Sequence, residues 1–334
     1  MSLKIVIYGG GSLGHVVSAV LSSNNDCEVC LLTGHPEKWN NNIRVTDCNG
    51  IIYSGHIKEV NLDAKKIIPN SDIILFCIPG FLIENALKNI RPYLNSDTKV
   101  GSIVSSTGFF FMAESILHKN TQLFGFQRTP FIARVVDYGK SAKLLGYKAE
   151  LKLATKNIVD IESFRILIEK LFSTPTSLLS SYLEASLTNS NPILHPCRLY
   201  GMWHNWHKGI IYKRHFLFYE EWDDFSSDIL IKCDKEFFSL LKCLNIDKSI
   251  PTLLDYYDSN NSSTLSEKLR SIQAFKGIRA PMVKTDGGFV PDFNSRYFTE
   301  DFPFGLSIIR NLAHKNNIKT PCIDKIYNWY SSLI

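Results

Sequence analysis

The chain opens with a short, almost continuously apolar stretch, "LKIVIY", then a glycine turn, then "SLGHVVSAVLSSN", whose apolar residues recur at helical spacing. A second apolar stretch, "CEVCLL", follows directly. A strand with no polar alternation is one buried on both faces, so the pattern predicts a β–α–β unit of a parallel sheet. Further strands are expected at "DIILFCIP" and "TKVGSIVSS", with the helical "FLIENALKNIRPYL" between them. "ARVVDYGKSAKLLGYKAELKLAT" alternates apolar and polar residues between glycine breaks and reads as antiparallel edge strands.

After about residue 186 the period changes. "DILIKCDKEFFSLLKCL", "TLSEKLRSIQAF", "GLSIIRNLAHKN" and "CIDKIYNWYSSL" all carry the helical repeat. The expected architecture is an α/β doubly wound domain over residues 1–186 followed by an all-α domain over 187–334, divided near "EASLTNSNP". A length of 334 residues with 45% hydrophobic residues is more than one core usually uses and agrees with two domains.

Charge and cysteines narrow the class. The net charge of +5 is spread among acids rather than gathered into a basic stripe, so no nucleic-acid partner is expected. A strand begins by residue 3 with no basic-then-apolar leader, and the longest apolar stretch, "IILFCIPGFLI", is broken by Pro79 and Gly80, which points to a cytoplasmic protein without a membrane span. The one CxxC, Cys27 and Cys30, sits in a strand whose alternation sends the two thiols to opposite faces, so buried thiols rather than a metal or redox pair are expected. His204 and His207 in "MWHNWH" have the spacing of a metal pair, but no third ligand follows at a recognisable distance and no metal is expected.

Gly9, Gly11 and Gly14 form G-x-G-x-x-G directly after a strand and at the start of a helix, with Ser12 and Leu13 inside the motif. Gly9 permits the tight turn, Gly11 lets a pyrophosphate approach the backbone, and Gly14 lets helix and strand pack closely, while the helix N-terminus faces the phosphates. This is a Rossmann fingerprint for NAD or NADP. The carboxylate that would bind an adenosine ribose diol is missing after the second strand, where "LLTGHPEKW" offers Thr33, His35 and Lys38. These three suit a 2′-phosphate, yet Lys38 is equally readable as a solvated lysine, and the choice of cofactor stays open. "CIPGF", with Pro79, reads either as a loop on the nicotinamide side or as a simple strand terminator.

A second constellation lies in the helical part. In "NPILHPCRLYG", Asn191 and His195 stand four apart and share a helix face, although a lone histidine among aliphatics is also a common core residue. In "SRYFTEDFPFGLSIIRNL", Arg296 precedes Asp301 by five residues, and Thr299 is expected to cap a helix whose first turn holds Glu300 and Asp301. Acids there can simply complement the helix dipole.

Taken together these segments resemble the opine dehydrogenases. The resemblance runs over nearly the whole chain and rests on "GGGSLG", "LLTGHPEKW", "LHPCRLYGMWHNW", "LFYEEW" and, most specifically, "VKTDGGFVPDFNSRYFTEDFPFG". It implies an N-terminal Rossmann domain and a helical domain like that closing 6-phosphogluconate dehydrogenases, with the active site in the cleft between them. It also implies NADH- or NADPH-dependent reductive condensation of an α-keto acid with the amino group of an amino acid, by a monomer or homodimer. On motif matches, His195 falls on the catalytic histidine, Asp301 on its partner acid, Arg296 on a substrate-carboxylate clamp, and Asn191 on a polar active-site position of some relatives.

The residue types suit that chemistry. An imidazole exchanges protons near neutral pH, a carboxylate fixes its tautomer, and a guanidinium grips a carboxylate through two parallel hydrogen bonds. Ser106 and Thr107 in "STGFFFMAE" stand near the expected keto acid, where a relative has a different polar residue, and Arg128 in "FQRTPFIAR" stands where that relative has no charge. Arg128 therefore reads either as a contact to an anionic substrate or as a surface guanidinium. Two other readings remain: a 2-hydroxyacid or glycerol-3-phosphate type dehydrogenase using a lysine as acid–base, and a non-catalytic NAD(P)-binding sensor.

Overall fold

The computed structural model describes residues 2–333, apart from the side chain of Thr107. The chain divides into two compact units, Met1–Ser186 and Leu187–Ile334.

In the first unit the elements run β1 (Leu3–Tyr8), α1 (Ser12–Ser22), β2 (Cys27–Leu32), β3 (Asn42–Asp47), β4 (Ile52–His56), β5 (Glu59–Asn61), α2 (Ala64–Ile67), β6 (Ile73–Phe76), α3 (Gly80–Ile90), β7 (Lys99–Ser102), α4 (Phe109–Ile116), β8 (Gln122–Phe126), β9 (Phe131–Asp137), β10 (Ser141–Tyr147), β11 (Leu151–Lys156), α5 (Ile161–Phe172), β12 (Thr176–Leu178) and α6 (Tyr182–Leu187). Eight strands form the main sheet in the order β12-β11-β8-β7-β6-β1-β2-β5. From β8 through β7, β6, β1 and β2 to β5 every pairing is parallel, while β11 joins β8 antiparallel. Strand alternation divides the core between the two faces of the sheet. Ile5 and Ile7 join Val16, Val17, Phe124 and Phe126 in one cluster, whereas Val6 joins Ile74, Phe76, Leu87 and Phe109 in the other. Cys27 packs on the first cluster and Cys30 on the second, as alternation requires.

The expectation of antiparallel edge strands over 133–155 holds for the antiparallel pairing and for β9, outermost in its sheet, and needs correction for the rest. β9 and β10 belong to a separate four-stranded sheet, β4-β3-β10-β9, and β11 is an inner strand of the main sheet, with β12 outside it. α1 touches strands of both sheets, which is why Gly14 to Ala19 are buried without interruption and the helix shows no solvent face there.

The second unit contains α7 (Asn191–Trp203), α8 (Asp224–Cys243), α9 (Leu253–Tyr256), α10 (Ser262–Ser271), α11 (Arg296–Thr299), α12 (Ser307–Lys315) and α13 (Pro321–Ser331). α8 is the central element, packed against α7, α10, α12 and α13. The helical expectation holds, with one addition: "MVKT" and "GFVP" pair as an antiparallel hairpin, β13 (Met282–Thr285) and β14 (Gly288–Pro291), closed by Gly287 at φ +90. Among the described residues no helix is long and apolar enough to cross a membrane.

α8 carries one internal acid. Asp234 is 6% exposed and accepts a hydrogen bond from the Leu253 backbone N–H at 2.8 Å. Burial outweighs that bond and pushes its pKa up to about 6. The folded state therefore binds a proton that the unfolded chain releases near pH 4, so this group makes stability fall as pH rises from about 4 to 6. Asp234→Asn keeps an acceptor for Leu253 without the desolvated charge. It is expected to stabilise the protein by about 1–3 kcal/mol at pH 8 and to have little effect at pH 4. Denaturant unfolding at the two pH values measures the difference.

Candidate active site

The glycine turn follows β1. Gly9 adopts φ +120, where a side chain is strained, and a Cβ on Gly14 would lie 1.9 Å from the Gly9 carbonyl oxygen, so close helix–strand packing demands glycine at both. Gly11 is the N-cap of α1 and has no side-chain cap. A Cβ at Gly11 would meet nothing within 4 Å, so the free N–H groups of the first turn face open space. That uncapped, side-chain-free cradle fits a pyrophosphate. Leu13 packs on the core, and the Ser12 hydroxyl accepts from the Val135 N–H at 3.4 Å, tying the turn to β9.

Behind the turn sits His15, which sequence reading passes over. Its Nε2 accepts from the Gly139 backbone N–H at 2.7 Å, which fixes the proton on Nδ1, and Nδ1–H donates to the Gly11 carbonyl at 2.8 Å. Burial lowers its pKa, which keeps the ring neutral as that pattern needs. Trp39 covers the ring at 4.1 Å. Gly10 is closed in by Thr33 and Tyr138, whose oxygens would lie 2.6 and 2.9 Å from a Cβ there.

Thr33 directly follows β2 and is buried. His35 is exposed and 3.4 Å from Glu37, and Lys38 is exposed at the end of a 3-10 turn, Pro36–Lys38. Pro79 is the N-cap of α3. Arg128 is exposed between β8 and β9. Ser106 is buried in the 3-10 turn Ser105–Thr107, and the side chain of Thr107 lies outside the described residues.

In the second unit the structure joins two of the predicted residues directly. His195 lies in the second turn of α7 and is 8% exposed. Its Nδ1 is 2.7 Å from the Asp301 Oδ2, across 106 residues of sequence. Asp301 does not serve as a cap. It stands at the N-terminus of a π-helical turn, Phe302–Leu306, that leads into α12, and makes no side-chain cap hydrogen bond. The expected cap, Thr299, is instead the last residue of α11, with its hydroxyl on the Ser295 carbonyl.

A close backbone approach makes the pairing possible. A Cβ on Gly305 would fall 2.7 Å from the Pro192 Cβ and 2.9 Å from its Cγ, so the π turn lies against the first turn of α7 only because residue 305 has no side chain. Asn191 starts α7 one turn before His195 and is exposed. Arg296 is 81% exposed in its side chain and grips Glu300 through Nε and Nη2 at 2.9 and 2.7 Å.

The imidazole has a further partner that sequence reading misses: Nε2 lies 2.9 Å from the Tyr219 hydroxyl. Tyr297 stands edge-on to the ring at 4.7 Å, with Phe218 at 5.6 Å. Tyr219 is placed by Arg198, which is 2% exposed. Its guanidinium donates to the carbonyls of Phe218 (2.9 Å) and Glu221 (2.6 Å), to Asp223 (2.8 Å) and to Ser226 (3.2 Å). The only signal of this in the sequence is an arginine on a helix whose other faces are apolar. His204 ends up ring-stacked on Tyr200, and among the described residues no group of three or more metal-ligating side chains is brought together.

Residues 178–334 match the family model described as NAD/NADP octopine/nopaline dehydrogenase, alpha-helical domain, and residues 5–108 match ketopantoate reductase PanE/ApbA. An opine dehydrogenase of Haliotis discus hannai is 26% identical, covering 98% of this chain and 89% of its own. A tauropine dehydrogenase of Arabella iricolor is 28% identical, covering 99% and 91%. Among solved structures, octopine dehydrogenase with NADH and L-arginine superposes with a TM-score of 0.87 at 24% identity, covering 99% and 89%. Over nearly its whole length the chain is thus similar to opine, octopine and tauropine dehydrogenases, and its second unit matches the helical domain of that family's model.

Proposed function

We propose that the protein condenses an α-keto acid with the amino group of an amino acid and reduces the resulting imine, or runs the reverse oxidation, with His195 and Asp301 as its acid–base pair. The observation that carries this reading is the 2.7 Å bond between Asp301 and an imidazole largely shielded from water, inside the unit that matches the family's helical domain. NADH or NADPH, when bound, supplies the hydride. The turn of Gly9, Gly11, Ser12, Leu13 and Gly14 is assigned to the pyrophosphate, Thr33, His35 and Lys38 to the adenosine side, and Pro79 to the loop on the nicotinamide side.

A carboxylate can only accept, so Asp301 holds the proton of neutral His195 on Nδ1 and stabilises the imidazolium once it forms. The imidazolium then gives a proton as the carbinolamine loses water, and the neutral ring takes one back in the oxidative direction. Arg296 is assigned to a substrate carboxylate. Its fork now faces Glu300, and because the guanidinium itself is exposed, a bidentate substrate carboxylate can reach it and exchange with Glu300. Asn191, Arg128 and Thr107 are assigned to the remainder of the substrates, Arg128 favouring an anionic one.

The lysine-based alternative finds no support. No lysine of the second unit is buried among the described residues, whereas His195 is. All eight cysteines are free thiols, which suits a reducing compartment, and we place the enzyme in the cytoplasm.

Pairs of keto acids and amino acids screened for NADH and NADPH oxidation test the activity; saturable cofactor binding with no turnover on a broad panel would favour the sensor reading. His195→Ala is expected to lower kcat by about 10²–10⁴-fold with cofactor affinity unchanged by fluorescence titration, and Asp301→Asn, which presents the wrong tautomer partner, by a similar factor. Gly305→Ala is expected to force the π turn off Pro192, costing about 1–3 kcal/mol in thermal unfolding and about 10–100-fold in kcat as Asp301 shifts from the imidazole.

A further inference from the structure

Both nitrogens of His195 are engaged. Asp301 takes the proton on Nδ1, so the lone pair of the neutral ring is on Nε2 and accepts the Tyr219 O–H. Three elements face this pair with titratable or charged groups: Tyr219 from its loop, Tyr297 and Asp301 from the segment around α11, and Tyr257, beyond α9, through its effect on Tyr219. Arg198, on α7 itself, has its guanidinium spent on the Tyr219 loop and Ser226. Phe275 covers the Tyr219 ring at 4.0 Å. In this arrangement the group bonded to Nε2 is the Tyr219 hydroxyl.

We propose that Tyr219 is the relay through which His195 exchanges its proton, making the acid–base unit a three-member chain, Asp301–His195–Tyr219. This rests on the reading of His195 as the acid–base group. During imine formation the Nε2–H bond of the imidazolium breaks as a new Tyr219 O–H bond forms. The original Tyr219 O–H bond breaks in the same step, and its proton goes to the carbinolamine hydroxyl. The C–O bond then breaks, water leaves, and the nitrogen lone pair completes the C=N bond. No charge rests on the phenol at any stage. Burial, with Tyr297, Tyr257 and Asp301 nearby, raises the Tyr219 pKa, so a free phenolate is disfavoured and a concerted hand-over is the route left. Arg198 supports the geometry, because it ties the carbonyls on either side of Tyr219 to the helix that carries the imidazole.

Tyr219→Phe in the full-length protein keeps the ring and its stack on Phe275 while removing the hydroxyl. The expected result is a fall in kcat of about 10²-fold, an altered pH–rate profile and an unchanged KM for the cofactor. In the cofactor-free protein, the ¹⁵N signal of neutral His195 Nε2 should move toward that of an unbonded lone pair while Nδ1 keeps its bonded signature. For the unmodified enzyme, rates in mixed H2O and D2O should curve with deuterium fraction, as two protons in flight require. A linear dependence would overturn the relay whatever the variant does, and so would a Phe variant with unchanged kcat and pH profile. Failure of the parent reading is separately visible, as turnover that survives His195→Ala.

Discussion

Everything at the His195–Asp301 pair depends on one contact between two pieces of backbone. The turn carrying Asp301 has to come within hydrogen-bond reach of α7, and at the point of nearest approach it meets the ring of Pro192, which cannot rotate away. Only glycine fits at 305. The π turn then holds Asp301 at its head, with the Leu306 N–H bonded back to the Asp301 carbonyl at 2.8 Å. π-helical turns recur at functional sites because the added residue changes which side chain faces the neighbouring helix. Here the carboxylate released from capping duty is the one that meets His195. Phe298 and Phe302 stack beneath it, and Phe302 lies 4.1 Å from Tyr330, so the apolar side of the turn is fixed by the core while its polar end is held by the imidazole.

The glycine turn of the first unit obeys the same logic. It brings backbone near backbone at Gly9 and Gly14, and a neutral histidine behind it ties α1 to the β9–β10 connection. His15 and His195 show how partners set a ring's work. His15 has a carbonyl on one side and an N–H on the other, a pattern that only the neutral ring satisfies. His195 has a carboxylate and a hydroxyl, and a hydroxyl can donate or accept, so both protonation states are satisfied. The first arrangement suits a structural post and the second suits proton exchange.

Much of this was legible in the chain, where local pattern carries the information. β1, the glycine turn and α1 follow from apolar periods and from the steric need for glycine, and α8, α10, α12 and α13 follow from helical spacing. The second sheet was not, because β3 pairs with β10 across nearly a hundred residues and no local period names a distant partner. His195, Asp301 and Arg296 stood out by residue type and by resemblance. Thr299 was misplaced as a cap because a short helix and a π turn occupy the stretch expected to form one helix start. Tyr219 and Arg198 escaped notice because their roles are contacts: nothing near "LFYEEW" says that its tyrosine faces an imidazole 24 residues earlier.

The order of the acids in "RYFTED" carries a last consequence. Arg296 precedes Glu300 by four residues and Asp301 by five. The Glu300 N–H bonds to the Arg296 carbonyl at 2.9 Å, so helical geometry continues to that point and places Glu300 on the arginine's own face. Asp301, one residue further, is turned away toward α7. With the acids exchanged, the guanidinium would face the carboxylate that His195 needs and would compete for it. As the chain stands, the arginine holds Glu300 and the imidazole keeps Asp301. The two adjacent acids therefore serve separate partners, Glu300 the guanidinium and Asp301 the imidazole, although only one peptide bond lies between them.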